Sequence, residues 1–141
     1  MGNYSVPSGD ASPLRVLLVE DSVLLAARLV QFIRRLLYAQ VVATVDTESD
    51  AIRYLYESCP DVVILDLHLR KGTGLGVLRA LNGATHPKVI VLTNFALPEY
   101  RRAAEALGAY AFLDKSRDFG RLSALLLGFV EERSGPRGGA A

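Results

Sequence analysis

Three acids, a hydroxyl and an amine occupy one kind of place in this sequence, the end of a short apolar run. Glu20 and Asp21 follow "LRVLLV", Asp66 closes "DVVILD", Thr93 closes "KVIVLT", and Lys115 follows "AYAFLD". Asp66 stands out, because it lies between a run suited to a buried strand and the apolar Leu67. An ionised carboxylate in such a place needs a partner, since burying it unpaired is costly. Three carboxylates brought together repel, raising at least one pKa unless a cation intervenes, and one lysine is too little for three acids. A hard divalent ion with oxygen ligands answers the problem, and Mg²⁺ in particular uses one or two carboxylates, waters and a phosphate oxygen. The chemistry that follows is nucleophilic. Asp66 is then the candidate nucleophile, expected to accept a phosphoryl group as an aspartyl phosphate. In that chemistry the metal and Lys115 would neutralise charge on the transferring group, and Thr93 would donate a hydrogen bond to one of its oxygens.

These residues converge only if the elements beneath them are parallel strands. The runs 14–20, 40–45, 61–66, 88–93 and 109–114 are rich in Val, Ile and Leu. Several lack polar/apolar alternation, as expected of strands covered on both faces. Helix-like segments alternate with them. Thr47-Glu48-Ser49-Asp50 resembles a capping box opening a helix that turns Ile52 and Leu55 inward; Pro98 suits a first helical turn and Gly108 a helix end. The pattern predicts right-handed βαβ units in a doubly wound α/β sheet, where function gathers at the carboxyl ends of the strands.

Composition bounds the rest. A chain of 141 residues, 50% hydrophobic and 22% charged, fits one domain. Its core region is placed at 14–132 by composition, between an N-terminal tail (1–13) and a C-terminal tail (133–141) too poor in apolar residues to order themselves. A formal net charge of +1 gives no general case for nucleic acid, and no apolar stretch is long enough for a membrane span. The lone Cys59 and the absence of a secretion-like start fit a cytoplasmic protein; Val6 also breaks the myristoylation pattern that Met1-Gly2 invites. The glycines of "KGTGLG" do not form a dinucleotide loop, since "EDSVLL" follows the first run without a glycine; turn roles are expected for Gly72 and Gly74.

The marks "VLLVED", "VVILDLHL…GTGL", "VIVLT" and "FLDKS", in this order and spacing, resemble the receiver domains of two-component response regulators, and the chemotaxis-type single-domain regulators among them. The resemblance covers the whole of 14–132. It implies a flavodoxin-like (βα)5 fold with five parallel strands in the order 2-1-3-4-5. Asp66 resembles the phosphoacceptor. Asp21, Asp66 and the His68 backbone carbonyl look like direct Mg²⁺ ligands, and Glu20 acts through water. Thr93 looks like the switch hydroxyl, Lys115 the phosphate-pairing amine, and Phe112 the aromatic that changes rotamer. The expected protein is a stand-alone receiver that takes its phosphoryl group from a histidine kinase or phosphotransfer protein and switches binding of a downstream protein. It catalyses only its own phosphorylation and dephosphorylation, and is not an enzyme in the usual sense. The alternative is a phosphorylation-independent interaction module of the same fold. A phosphohydrolase of the haloacid-dehalogenase type is disfavoured by His68, where such enzymes want an acid.

Departures from the family pattern carry their own expectations. Arg70 stands where the family often has Pro, which suggests a looser loop; Asn94 crowds the approach after Thr93; and Ser116 follows Lys115 where a cis proline is common, so a trans bond is expected. His68 and Phe95 flank the path of attacking water in the family, and their bulk points to slow hydrolysis. The output face would carry Tyr100, Arg101, Arg102, Glu105 and Arg121. The first helix, taken as Ser22–Tyr38, is apolar nearly all round. It is either a docking or homodimer surface or a well-covered core helix.

Overall fold

Five strands, β1 (Leu14–Val19), β2 (Ala39–Val45), β3 (Val62–Leu65), β4 (Lys88–Thr93) and β5 (Ala111–Asp114), form one parallel sheet in the order β2-β1-β3-β4-β5. The computed structural model describes residues 12–134. Most of both expected tails, 1–11 and 135–141, lies outside the described residues. Five helices alternate with the strands: α1 (Val23–Arg34), α2 (Glu48–Ser58), α3 (Gly74–Leu81), α4 (Pro98–Ala106) and α5 (Arg121–Ser134). The last runs past the composition boundary at 132.

The unbroken apolar runs are explained by cover on both faces of the sheet. In β1, Val16 and Leu18 face a core built with Ala26, Leu29 and Ile33 of α1 and Leu122 and Leu126 of α5. Leu17 and Val19 face the opposite core, with Ala51 of α2, Val77 and Leu78 of α3, and Ala104 of α4. Strand periodicity sends neighbours to opposite sides, so both sets are apolar. Truncating a fully buried member such as Leu29 to Ala would cost about 2–5 kcal/mol.

Local signals set the helix starts. Ser22 caps α1 and Thr47 caps α2, each through its hydroxyl to an N–H three residues on. The capping box of α2 is only half made, because the Asp50 carboxylate is engaged by Arg53. Pro98 is the first residue of α4, and Gly108, at φ 102°, follows its end. α1 stops at Arg34, short of Tyr38, with Leu37 in the left-handed region at φ 66°. Its Leu25, Val30 and Phe32, and Leu36 just beyond its end, are partly buried against the core. The apolar side chains left largely exposed at its start are Val23 and Leu24. No helix among the described residues is long and apolar enough to cross a membrane.

Candidate functional site

Backbone pairing continues past the strand ends and fixes the site. The N–H of Glu20 donates to Val45 O, that of Asp66 to Val19 O, and that of Lys115 to Thr93 O, at 2.9, 3.0 and 3.0 Å. The residues following β1, β3 and β5 are thereby held at one rim, beside Thr93 at the end of β4. Glu20, Asp66 and Thr93 are buried, whereas Asp21 is exposed.

Lys115 binds two of the acids at once. Its Nζ lies 2.8 Å from Asp66 Oδ2 and 3.0 Å from Glu20 Oε1. Glu20 Oε2 also accepts the Ser22 N–H at 3.0 Å. Burial pushes the Glu20 carboxyl above its ordinary value, despite the opposing pull of Ser22 and Lys115. For Lys115, burial pulls the ammonium down, but its hydrogen bonds to Asp66 and Glu20 outweigh that and hold it above its ordinary value.

Carboxylate oxygens of Glu20, Asp21 and Asp66 lie within 4.8 Å of one another. The donors are all hard oxygens, two buried and one open to solvent, a set that suits Mg²⁺ rather than a softer ion. One lysine against three acids leaves negative charge for such an ion to neutralise. The chain's residues therefore fit a divalent cation at this rim.

The remaining expected residues make contacts of their own. Thr93 Oγ1 accepts the Phe95 N–H at 3.1 Å, leaving its hydroxyl hydrogen to donate elsewhere. The His68 N–H reaches Asp66 Oδ1 only at 3.4 Å. Its ring stacks on Phe95, centroids 4.5 Å apart and planes 24° apart. Phe112 is turned into the core, with the Arg101 guanidinium 4.8 Å from its ring centroid. Asn94 is exposed, and the Lys115–Ser116 bond is trans, the cis bond among the described residues being His86–Pro87.

The loop after Asp66 differs from its expected character. Arg70 does not leave it loose: its guanidinium makes a two-pronged contact with Asp46, at 2.9 and 3.3 Å, and its N–H donates to Asp46 O at 3.0 Å. This pairing holds the Asp46 carboxyl below its usual range. Gly72 turns the chain at φ 83°, as expected. Gly74 serves a different purpose, because a side chain there would collide with the Asp66 carbonyl and lie 2.9 Å from Leu67 Cα. The contacts that sequence reasoning missed are Asp46–Arg70 and Glu48–Thr73, pairs 24 and 25 residues apart that no local pattern announces.

Comparison with known proteins agrees with this geometry. Residues 16–127 match the family model described as the response regulator receiver domain. The chain is 40% identical over 101 residues to protein-glutamate methylesterase/protein-glutamine glutaminase 5 of Myxococcus xanthus, covering 71% of this chain and 29% of that protein. It is 27% identical to the sensory transduction protein LytT of Bacillus cereus, covering 85% and 48%. The chain thus spans less than half the length of these curated relatives. Among solved structures it is similar to a DNA-binding response regulator of the LuxR family from Staphylococcus aureus, with TM-score 0.75, 29% identity, and 83% of this chain and 98% of that one covered. The Mn²⁺-bound form of response regulator Rcp1 is also similar, with TM-score 0.65, 27% identity, and 85% and 93% covered.

Proposed function

The chain belongs to the response regulator receiver domain family, and from that premise we propose that Asp66 accepts a phosphoryl group from a phosphohistidine of a histidine kinase or phosphotransfer protein. The observation that carries the reading is a buried Asp66 paired at 2.8 Å with Lys115, its oxygens grouped with those of Glu20 and Asp21.

In the transfer, an Asp66 carboxylate oxygen attacks phosphorus, the O–P bond forms as the donor's P–N bond breaks, and the imidazole leaves with its electron pair. Lys115, held between Asp66 and Glu20, is placed to follow the negative charge onto the phosphoryl oxygens. The Thr93 hydroxyl is to donate to one of those oxygens. Asp21, Asp66 and the His68 backbone carbonyl would hold Mg²⁺, with Glu20 completing the acid set. When bound, the ion neutralises charge on the phosphoryl group.

The readout is a population shift between two states of the output face. Phosphorylation is to shift Thr93 toward the phosphoryl group and bias Phe112, whose ring already lies inward, toward that position, which changes the surface of α4 and β5 where Tyr100, Arg101 and Arg102 are exposed. A downstream protein then discriminates the two states. The reading places the protein in the cytoplasm, as a signalling domain whose chemistry is confined to its own phosphorylation and dephosphorylation.

The test is incubation with acetyl phosphate, with and without Mg²⁺, followed by intact mass measurement. One added phosphoryl group, dependent on Mg²⁺ and lost in Asp66→Asn, is expected. No addition under any condition would favour a phosphorylation-independent interaction module instead.

A further inference from the structure

The glycines of "KGTGLG" are only partly used by the site. Gly74 lets α3 approach the Asp66 backbone, but Gly72 and Gly76 both face a single side chain, that of Glu48 in the first turn of α2. A Cβ on either glycine would collide with it. In the space they leave, Glu48 Oε1 accepts the Thr73 N–H at 2.9 Å, while the Glu48 N–H donates to Lys71 O at 2.9 Å. A carboxylate bound to a backbone amide is a charge-assisted and hence stronger hydrogen bond. The Asp46–Arg70 contact lies next to it, and both are exposed, so solvent screens the charge in each.

Thr73 passes the constraint on. It bridges to His68 in antiparallel fashion, and its hydroxyl accepts the Gly76 N–H at 3.1 Å, capping α3. Residues 46–48 thus hold 70–73, and 73 holds 68, two positions from Asp66.

We propose that Glu48, admitted by Gly72 and Gly76, is a positioning residue that sets the 68–73 loop at the spacing from Asp66 needed for cation binding and phosphoryl acceptance. The proposal rests on the reading of Asp66 given above. Glu48 touches neither substrate nor ion; it acts through Thr73 and His68.

The experiment compares Glu48→Ala, Glu48→Gln, Gly76→Ala and the double variant Glu48→Ala/Gly76→Ala with wild type. It measures Mg²⁺ affinity by calorimetry, the rate of phosphoryl acceptance from acetyl phosphate, amide exchange at Thr73 and His68, and the thermal midpoint. Loss of a hydrogen bond to a charged group should speed exchange at Thr73, and weaken Mg²⁺ binding and acceptance, by about tenfold in Glu48→Ala. Glu48→Gln, which keeps the acceptor oxygen and the volume, should recover most of this. Gly76→Ala should show the same defect although alanine is the better helix former, and the double variant should be no worse than Glu48→Ala. Wild-type affinity, rate and exchange in Glu48→Ala would overturn the proposal, as would Glu48→Gln failing as badly as Glu48→Ala. If wild type takes neither Mg²⁺ nor a phosphoryl group, the Asp66 reading falls and this one with it. If wild type reacts and Glu48→Ala reacts equally, only the positioning role falls.

Discussion

The ammonium of Lys115 lies 2.8 Å from the carboxylate of Asp66, with 11% and 5% of the two side chains exposed. Each group is the other's main compensation for burial, and Glu20 shares the same amine. Removing one partner of such a pair leaves charge uncompensated. Lys115→Met should therefore lose about 3 kcal/mol of stability in the presence of a chelator. Mg²⁺ should restore part of that loss and stabilise the variant more than it stabilises wild type. Urea unfolding with EDTA and with Mg²⁺ measures both effects; equal stability of the two proteins in EDTA would contradict the pairing.

Glu20 gives the site a pH dependence of known sign. Burial raises its carboxyl above the ordinary 4.5. A folded-state pKa above the unfolded one means a stability contribution fully present below pH 4.5 and lost as pH rises through the raised value. In chelator, the stability difference between wild type and Glu20→Gln should therefore move against wild type as pH climbs through that window. Mg²⁺ affinity should move the other way, since the ion competes with the same proton. A series of urea midpoints across the window tests this, and a flat difference would contradict it.

Much of this arrangement is visible in the sequence because parallel strands advertise themselves. Unbroken runs such as "VVIL" have no polar face to alternate with, and charged residues placed directly after them can only gather at one rim. Tertiary pairing is what the sequence hides. Glu48 reads locally as an acid suited to the first turn of a helix, and nothing in "TESD" points to Thr73, 25 residues on. Arg70, where proline was the expected stiffener, reads as a loosening until its partner Asp46 is seen across the loop. The end of α1 is obscured for a different reason: the apolar Leu36 and Leu37 continue the pattern, although the backbone has already left the helix.

His68 and Phe95 form a stacked pair at the mouth of the site, with ring centroids 4.5 Å apart. Such a pair is worth about 0.5–1.5 kcal/mol, so opening it should shorten the life of phosphorylated protein by roughly two- to tenfold. Phe95→Ala and His68→Ala should each have this effect, and the double variant little more, because the two rings act as one cover. Phosphoryl decay followed by mass spectrometry decides it, and an unchanged half-life in Phe95→Ala removes the cover from the account.

Arg101 holds its guanidinium 4.8 Å from the Phe112 ring centroid. At a partly exposed position this contact is worth about 0.5–1 kcal/mol. Arg101→Ala should shift Phe112 away from its inward position in the unphosphorylated protein, by about two- to fivefold in population. Ring resonances of labelled phenylalanine report the shift; identical spectra in both proteins would show that Arg101 does not bias the ring.

The most direct test of the whole account is chemical trapping at the acceptor. Sodium borohydride reduces an aspartyl phosphate to homoserine, and peptide sequencing by mass spectrometry then locates the converted residue. After treatment with acetyl phosphate and Mg²⁺, homoserine is predicted at position 66 and nowhere else. Conversion at Asp21 or Asp114 instead, or at no aspartate, would contradict the assignment of Asp66 as the nucleophile.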